Sequence, residues 1–350
     1  QDLPDKESAT MFFQDCKLAH QAQITGISHS VKEILPPDLL DLTQLQKEAN
    51  IRYGFTASEV YDIAQSLYEK KLISYPRTSS RYLTEDVFDS LPPIMARLLS
   101  WELFPAAKGT GGIDISGLSH HIINAEKANV HHAIIITGIR PGNLSEKEIL
   151  VYRLVAGRML EAFMPPCRIE TTNVEAVCAA QHFKAEQTRI IEAGWHDVFM
   201  RSDMVPKSGY SVNELPEVKK GDNLNVCGCN MVHKKQLPVD PFTDAELVEY
   251  MELNGLGTVS SRTNIIRTLV NRKYIRYSRK YIVPTPKGMF TYETIRGKKI
   301  ADTSLTADWE KQLAGLESGM ITGQDFLNRI RTLAKEMTDD IFNTYSTKEE

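Results

Sequence analysis

The sequence predicts an α+β, multidomain protein in which two winged-helix-like helical domains are joined by a β-rich region. Three observations predict it. Thr56-Ala57-Ser58-Glu59 is a capping box, in which the threonine hydroxyl and the glutamate carboxylate satisfy each other's backbone donors. Val60, Ile63, Ala64 and Leu67 follow at i, i+3, i+4 and i+7, a one-faced helix. From Arg168 to about Val232 the apolar period falls to two, with Val174, Ala176 and Cys178, then Phe183 and Ala185, which is antiparallel strand material. Finally, LVNRKYIRYSRK echoes LYEKKLISYPRT, so the order helix, turn, helix, strand occurs twice.

The elements follow in order. Gln23 to Ile34 alternates as a strand until Pro36-Pro37 breaks it. Leu42, Leu45 and Ala49 mark a short helix, and the capped helix after it ends near Lys71 and runs into extended Ile73-Ser74-Tyr75. Phe104 to Ser119 is a glycine-rich connection without the Lys-Ser/Thr of a P-loop. Ile134 to Ile136 is a short buried element with His131 and His132 at its entrance. Leu144 to Glu148 opens a helix whose inward face holds Ile149, Tyr152, Ala156, Met159 and Leu160, and Pro165-Pro166 closes it. Lys234 to Pro241 is a linker. Ala245 to Met251 is helical, Gly255-Leu256-Gly257 turns the chain, and Ser260 or Ser261 caps a helix bearing Ile265, Ile266, Leu269 and Val270. Strands at Tyr274 to Tyr277 and Lys280 to Pro284 make a wing, and Phe326, Ile330, Leu333, Met337 and Ile341 mark a tail helix. The expected division is 1–36 with 167–240 for the β-rich region, 37–166 for the first helical domain and 241–345 for the second.

A chain of 350 residues with 42% hydrophobic content is long enough for two or three cores. A net charge of −4 argues against a uniformly basic nucleic-acid binder, yet Arg262 to Lys299 holds eleven Lys/Arg against the single acid Glu293. Any DNA surface is therefore a patch, with Arg262 and Arg267 in it. The five cysteines (Cys16, Cys167, Cys178, Cys227 and Cys229) form no C-x-x-C pair and suit reduced thiols in a cytoplasmic protein. Cys227-Gly228-Cys229 lacks a partner for a metal half-site and reads as strand or turn. His120, His121, His131 and His132 lack the H-x-x-x-H spacing of zinc sites, so no metal is expected on this chain. With no signal peptide and no apolar run long enough to span a bilayer, a membrane partner is not expected, and the chain is expected to be a monomer.

The stretch richest in chemistry is Leu72 to Asp86, LISYPRTSSRYLTED. Pro76 pushes Tyr75 out of the helical region, so its phenol is presented from extended chain. A phenol titrates near ~10 and needs a nearby cation to act as a nucleophile. Arg77, two residues on, shares a side with Tyr75 and has the forked donors that hold a phosphate. Taken alone, the pair also fits a half-buried tyrosine beside a solvated arginine.

LYEKKLISYPRTSSRYL closely resembles the active-site segment of type IA DNA topoisomerases, especially the bacterial topoisomerase III branch. VHHAIII (Val130 to Ile136) and NGLGTVSSRTNIIRTLVNRKYI (Asn254 to Ile275) match in the same order, and the resemblance runs from about Leu35 to Phe342. It implies part of a toroidal fold, with the β-rich region as an arch. It further implies that Tyr75 attacks one strand of DNA, forming a 5′-phosphotyrosyl link and freeing a 3′-hydroxyl that later reseals the break without an energy cofactor. Arg77 would neutralise the scissile phosphate, and His131, by its place in H-x-A-I, would contact that phosphate or assist proton transfer. Ser261 and Arg262 match the family's DNA-contacting helix start, and Gln65 and Tyr68 fall near the nucleophile.

Two residues depart from the pattern: Ser79 stands where the family usually has Asp, and Ile136 where it has Pro. The family's Mg²⁺ is held by the acids of a TOPRIM domain, and no D-x-D-x-E cluster occurs here. The chain therefore reads as the middle and end of such an enzyme, carrying the nucleophile without the metal, and relaxation by the isolated chain is not expected. A non-catalytic DNA-binding module is the alternative reading. A tyrosine recombinase is excluded by order, since its tyrosine follows its Arg and His whereas Tyr75 precedes them.

Overall fold

The alternation read at Gln23 to Ile34 becomes the longest strand of a four-stranded antiparallel sheet. The computed structural model describes residues 5–101, 122–128, 131–199, 215–232 and 239–346. The glycine-rich stretch from Phe104 to Ser119, His120, His121, Val130 and residues 234–238 of the expected linker lie outside them.

The chain divides into two compact units, the first built from residues 1–37, 99–119 and 159–239. It opens with helix α1 (Lys6–Leu18), which the sequence reading did not resolve; its Asp5 cap accepts from Ser8 N–H at 2.8 Å. The sheet has the order β3 (Gln181–Glu192), β2 (Cys167–Cys178), β1 (Gln21–Ile34), β4 (Asn223–Asn225). Strand β1 pairs with β2 from Gln23↔Val177 to Ile34↔Cys167, with one irregularity between Ile24 and Gly26. The expected pairing of Gln23–Ile34 with strands from the 168–232 stretch is thus observed. On β2 and β3, Val174 lies opposite Ala185 and Ala176 opposite Phe183, the apolar sets that the period of two marked out.

A two-residue loop joins β2 to β3, with φ +49° at Ala179 and +61° at Ala180. Both being positive is the signature of the hairpin turn whose twist matches its strands, normally filled by Asn-Gly. At the other end of β2, Gly194 (φ +51°) packs so closely that a Cβ would sit 2.3 Å from the Pro166 carbonyl oxygen. The buried Trp195 beside it donates its backbone N–H to Pro165 and its indole N–H to the Ile34 carbonyl, at 3.0 and 2.9 Å. The Pro-Pro break expected to close the preceding helix thus also seats this tryptophan.

The second unit comprises residues 38–98, 120–158 and 240–350. Its helices are α2 (Leu42–Tyr53), α3 (Ala57–Glu69), α4 (Glu85–Asp89), α5 (Leu91–Ser100), α6 (Ala125–Ala128), α7 (Glu146–Ala162), α8 (Asp244–Leu253) and α9 (Val259–Asn271), then, after a hairpin, α10 (Pro286–Ile295), α11 (Thr303–Glu317) and α12 (Gly323–Ser346). The hairpin is β5 (Ile275–Ser278) with β6 (Tyr281–Pro284), the expected wing. The capping box of α3 forms as read, with Thr56 N–H donating to Glu59 at 2.9 Å and Glu59 N–H to Thr56 Oγ1 at 3.2 Å. Val60, Ala64 and Leu67 are buried as the period required. Helix α7 differs from its reading. Ile149 is exposed, while Val151, Tyr152, Leu154, Val155 and Ala156 are all buried, so this helix is covered on more than one face. The cap of α9 also differs, being Thr258 with Ser261 completing the box: Thr258 N–H donates to Ser261 Oγ at 2.8 Å.

Helices α2 and α3 pack on α8 and α9, first helix to first and second to second. Lys47 meets Glu249 at 2.6 Å across α2 and α8, and Gln46 donates to Thr263 at 2.8 Å. Ala57, Val248, Met251, Ile266 and Ile282 form one buried cluster, so apolar side chains of the two expected helical domains share a core.

Candidate active site at Tyr75

Tyr75 is placed by what ends α3. Lys71 adopts φ +59°, Leu72 N–H reaches Leu67 C=O at 3.0 Å and Lys71 N–H reaches Tyr68 C=O at 2.8 Å, a Schellman stop that turns the chain into extended conformation. That extended segment pairs with 133–137 rather than with its own successor. Ile73 bridges Ile136, through Ser74 N–H to Ile135 C=O at 2.8 Å and Thr137 N–H to Leu72 C=O at 3.1 Å. Side chains add to it: Ser74 Oγ donates to Ala133 C=O at 3.1 Å and Thr78 Oγ1 to His131 C=O at 3.0 Å. Downstream, Thr78 C=O accepts from Leu42 N–H at 3.1 Å, and Arg81 pairs at 2.6 Å with Asp41, the residue that caps α2.

These bonds bring three aromatic rings together. The His131 ring lies 4.4 Å from that of Tyr75, centroid to centroid and tilted by 42°, and Tyr68 meets Tyr75 edge-on at 5.4 Å. Arg77 donates to Gln65 Oε1 at 3.1 Å and lies 5.0 Å over the Tyr61 ring. Its Nε is buried and has no hydrogen-bond partner among the described residues. Gln65 is oriented in turn by Glu69, which accepts from Gln65 Nε2 at 2.9 Å. Tyr61 and Glu69 were not singled out in the sequence, although the i, i+4 spacing of 61, 65 and 69 puts all three on one face of α3. The arrangement is chemically simple: a half-buried phenol flanked by an imidazole, and a guanidinium held in place with a donor left over for an anion.

The end of α3 is also anchored to α7. Glu148 accepts from Lys70 Nζ at 2.5 Å, Ser66 Oγ at 2.7 Å and Ser145 N–H at 2.9 Å. Those donors, Lys70 foremost, hold its carboxyl at about 2.

Other expected site residues have internal partners. Arg262 is only 8% exposed, ion-paired with Glu252 at 3.3 Å and bonded to Thr43 and to Gly257 C=O. Arg267 grips both Asp62 oxygens at 2.9 and 2.8 Å and donates to Ser58 at 2.7 Å. Both arginines therefore tie α9 to the tyrosine-bearing half, and Ser261 is occupied in the α9 cap. Lys298 and Lys299 pair with Asp340 and Glu336 at 3.0 and 2.6 Å. The part of the basic run that stays exposed, with no ion pair among the described residues, is the hairpin and its flanks: Arg272, Lys273, Arg276, Arg279, Lys280 and Lys287.

Of the two departures, Ser79 is exposed and Ile136 fully buried. The bridge bonds are donated by Ser74 and Thr137. Among the described residues no group of three or more His, Cys, Asp or Glu is arranged to hold a metal ion, so the donors present do not fit the Mg²⁺ that the resemblance implies. No helix among them is long and apolar enough to cross a membrane.

Comparison with known proteins bears on this site. A family model described as DNA topoisomerase matches residues 1–328. DNA topoisomerase 3 of Bacillus licheniformis is 32% identical over 344 residues, covering 91% of this chain and 47% of that protein. The Bacillus subtilis enzyme of the same name is 30% identical over 355 residues, covering 93% and 48%. The chain thus spans about half the length of the relatives it matches. Full-length topoisomerase I from Thermotoga maritima superposes with a TM-score of 0.73 at 22% identity, over 96% of this chain and 56% of that one, a likeness of fold.

Proposed function

This chain belongs to the type IA DNA topoisomerases and resembles topoisomerase 3, and from that premise we propose that Tyr75 is the nucleophile of a transient single-strand DNA break. The phenol oxygen forms a bond to a backbone phosphorus, the bond from that phosphorus to the 3′ oxygen breaks, and the 3′ oxygen leaves with a proton. A 5′-phosphotyrosyl link holds the break while another strand passes, and the 3′-hydroxyl then reverses the step.

The observation that carries the proposal is the His131 ring against Tyr75, with Arg77 two residues along the chain. Arg77, steadied by Gln65 and Tyr61, meets the scissile phosphate with the terminal N–H donors of its guanidinium. A donor placed at developing charge contributes ~3–4 kcal/mol. His131 lies against the phenol and is positioned to move the proton. The substrate is single-stranded DNA in the cytoplasm, drawn in by the exposed cations of the β5–β6 hairpin, with log K falling by about 0.7 per phosphate contact against log salt. In this proposal the Mg²⁺ belongs to a TOPRIM domain rather than to the donors of this chain, which by itself does not relax plasmid.

The test joins the chain to the TOPRIM segment of a topoisomerase 3 relative and traps the adduct on a 3′-labelled oligonucleotide. The adduct forms with Mg²⁺, falls about 10²- to 10³-fold in Arg77→Ala, and vanishes in Tyr75→Phe. An adduct that survives Tyr75→Phe overturns the assignment. Binding of the oligonucleotide with no adduct in any form of the joined protein supports the non-catalytic DNA-binding module instead.

A further inference from the structure

Helix α8, helix α9 and the β5–β6 hairpin follow one another in the order of a helix-turn-helix with a wing. Gly255 (φ +64°) and Gly257 (φ +74°) turn the chain between the two helices. Their inward sides pack on the cluster that holds Val248, Met251, Ile266 and Ile282. Arg262 and Arg267 are bonded inward as well, to Glu252 and Asp62. The outward side of α9 is a different surface. Ser260, Asn264, Thr268 and Asn271 are all exposed there, and their spacing puts them on one strip of the helix. Asn271 leads through Arg272 and Lys273 into the hairpin, so the strip runs on along the chain into exposed cations. The hairpin's two-residue loop is Arg279 and Lys280, with Arg279 at φ +56°, which sets both at its tip. Lys287 donates to the Arg272 carbonyl at 2.8 Å and so ties the start of α10 to the corner between helix and wing. Between Glu252 and Glu293 the chain contains no acidic residue.

We propose that α9 and the β5–β6 hairpin form a binding site for double-stranded DNA, with α9 in the major groove and the hairpin cations on the neighbouring phosphates. The inference rests on the topoisomerase reading and deepens it, the duplex being the one that flanks the single-stranded stretch broken at Tyr75.

Three features favour a duplex. The major groove admits an α-helix, and the second helix of a helix-turn-helix is the one that enters it. Asparagine there can pair with N6 and N7 of adenine, and serine or threonine with any base edge, so the side chains of the strip are of the kind that reads a groove. The strip carries neither a charge for a bare phosphate chain nor an aromatic ring for an unstacked base, the two contacts by which single strands are held. Finally, two of the three tyrosines in and beside the hairpin are already covered. Lys287 lies 4.5 Å over the Tyr274 ring and Lys280 5.1 Å over that of Tyr281, whose hydroxyl donates to Asp240 at 3.0 Å.

Binding is measured on the full chain without Mg²⁺, apart from any cleavage. Fluorescence anisotropy compares a mixed-sequence duplex of about two helical turns with one of its strands alone, at several salt concentrations. The duplex binds more tightly than the strand, and its log K falls by about 0.9 per phosphate contacted against log salt. Arg279→Ala and Lys280→Ala each lower that slope by about 1. Asn264→Ala combined with Asn271→Ala weakens duplex binding about 10-fold and leaves binding of the strand as it was. Both positions are exposed on a helix, where alanine is the best former, so this variant folds. In the bound duplex, guanine N7 is protected from dimethyl sulfate, which reports a helix in the major groove. Equal or tighter binding of the strand overturns the proposal. So does a duplex affinity unchanged in the double asparagine variant, or a bound duplex whose guanine N7 stays open to methylation. Duplex binding with these signatures, in a chain whose TOPRIM-joined form yields no adduct, upholds this site and overturns only the assignment of Tyr75.

Discussion

The segment after α3 and the segment after α9 begin alike and end in opposite chemistry. In each, a Schellman stop puts a lysine in the left-handed region, Lys71 at φ +59° and Lys273 at φ +61°. The paired bonds match as well: Leu72 to Leu67 at 3.0 Å in one, Tyr274 to Leu269 at 2.9 Å in the other. Four residues beyond each lysine stands a tyrosine. Tyr277 pairs opposite Ile282 in its own hairpin, where desolvation first and the nearby Asp244 carboxylate second push its titration well above the ordinary range. Tyr75 instead lies in a segment paired with residues some sixty positions on, and that remote segment brings His131 against the ring. The same local code thus sets one tyrosine within its own hairpin and the other against a remote histidine, according to which strand answers it.

The largest expected effect separates the two tyrosines directly. In the TOPRIM-joined protein, Tyr75→Phe reduces the covalent adduct to background, while Tyr277→Phe leaves cleavage intact and shifts stability by no more than about 0.5 kcal/mol, because Tyr277 is exposed. Adduct trapping and urea melts read the two outcomes, and loss of adduct in Tyr277→Phe at full folding would dissolve the distinction.

A glycine marks the hairpin side alone: a Cβ on Gly288 would lie 2.0 Å from the Tyr274 carbonyl oxygen. Gly288→Ala is expected to cost about 3 kcal/mol, measured by denaturant titration.

The two halves also oppose each other in acid. Glu148 is held at about 2, so its contribution is complete above its unfolded value of about 4.3 and is lost as pH falls toward 2. Asp244 is raised, chiefly by burial, so its contribution exists below its unfolded value of about 3.9 and is lost as pH rises through its folded value. Glu148→Gln should therefore lower stability on the order of 2 kcal/mol at pH 7 and hardly at all at pH 2. Asp244→Asn should steepen the acid loss by removing the opposing titration, and thermal melts across this pH range would show whether the slopes separate.

The smallest effect is shared. Lys71→Gly and Lys273→Gly should each stabilise by about 1 kcal/mol by relieving left-handed backbone, and a gain at one site without the other would break the likeness.

What could be read in advance, and what could not, divides along chain distance. The α3 box, the β1–β2 pairing and the wing all rest on patterns within a dozen residues or on a period of two, and the structure has them. The fate of Arg262 and Arg267 depends on Glu252, Thr43 and Asp62, and for Arg267 the carboxylate lies some two hundred residues away, so their charge registers in the sequence and their partners do not. Residues 61, 65 and 69 were within reach of helical spacing. The left-handed Ala179-Ala180 turn was not, because alanine carries no turn signal, and its position follows only from the register of the strands it joins.

That register has a mechanical consequence. Strands β1, β2 and β3 run side by side through eleven paired rungs, about 35 Å at roughly 3.3 Å per residue, with long stretches of both faces exposed. Such a strip is a leaf spring. A load along the strands is shared in shear by every rung at once and meets high stiffness, while a load across the face bends the strip and leaves each hydrogen bond nearly at its resting length. The irregularity between Ile24 and Gly26 interrupts the rungs at one end, so curvature concentrates there, and the elastic energy taken up in flexing is returned when the load is released.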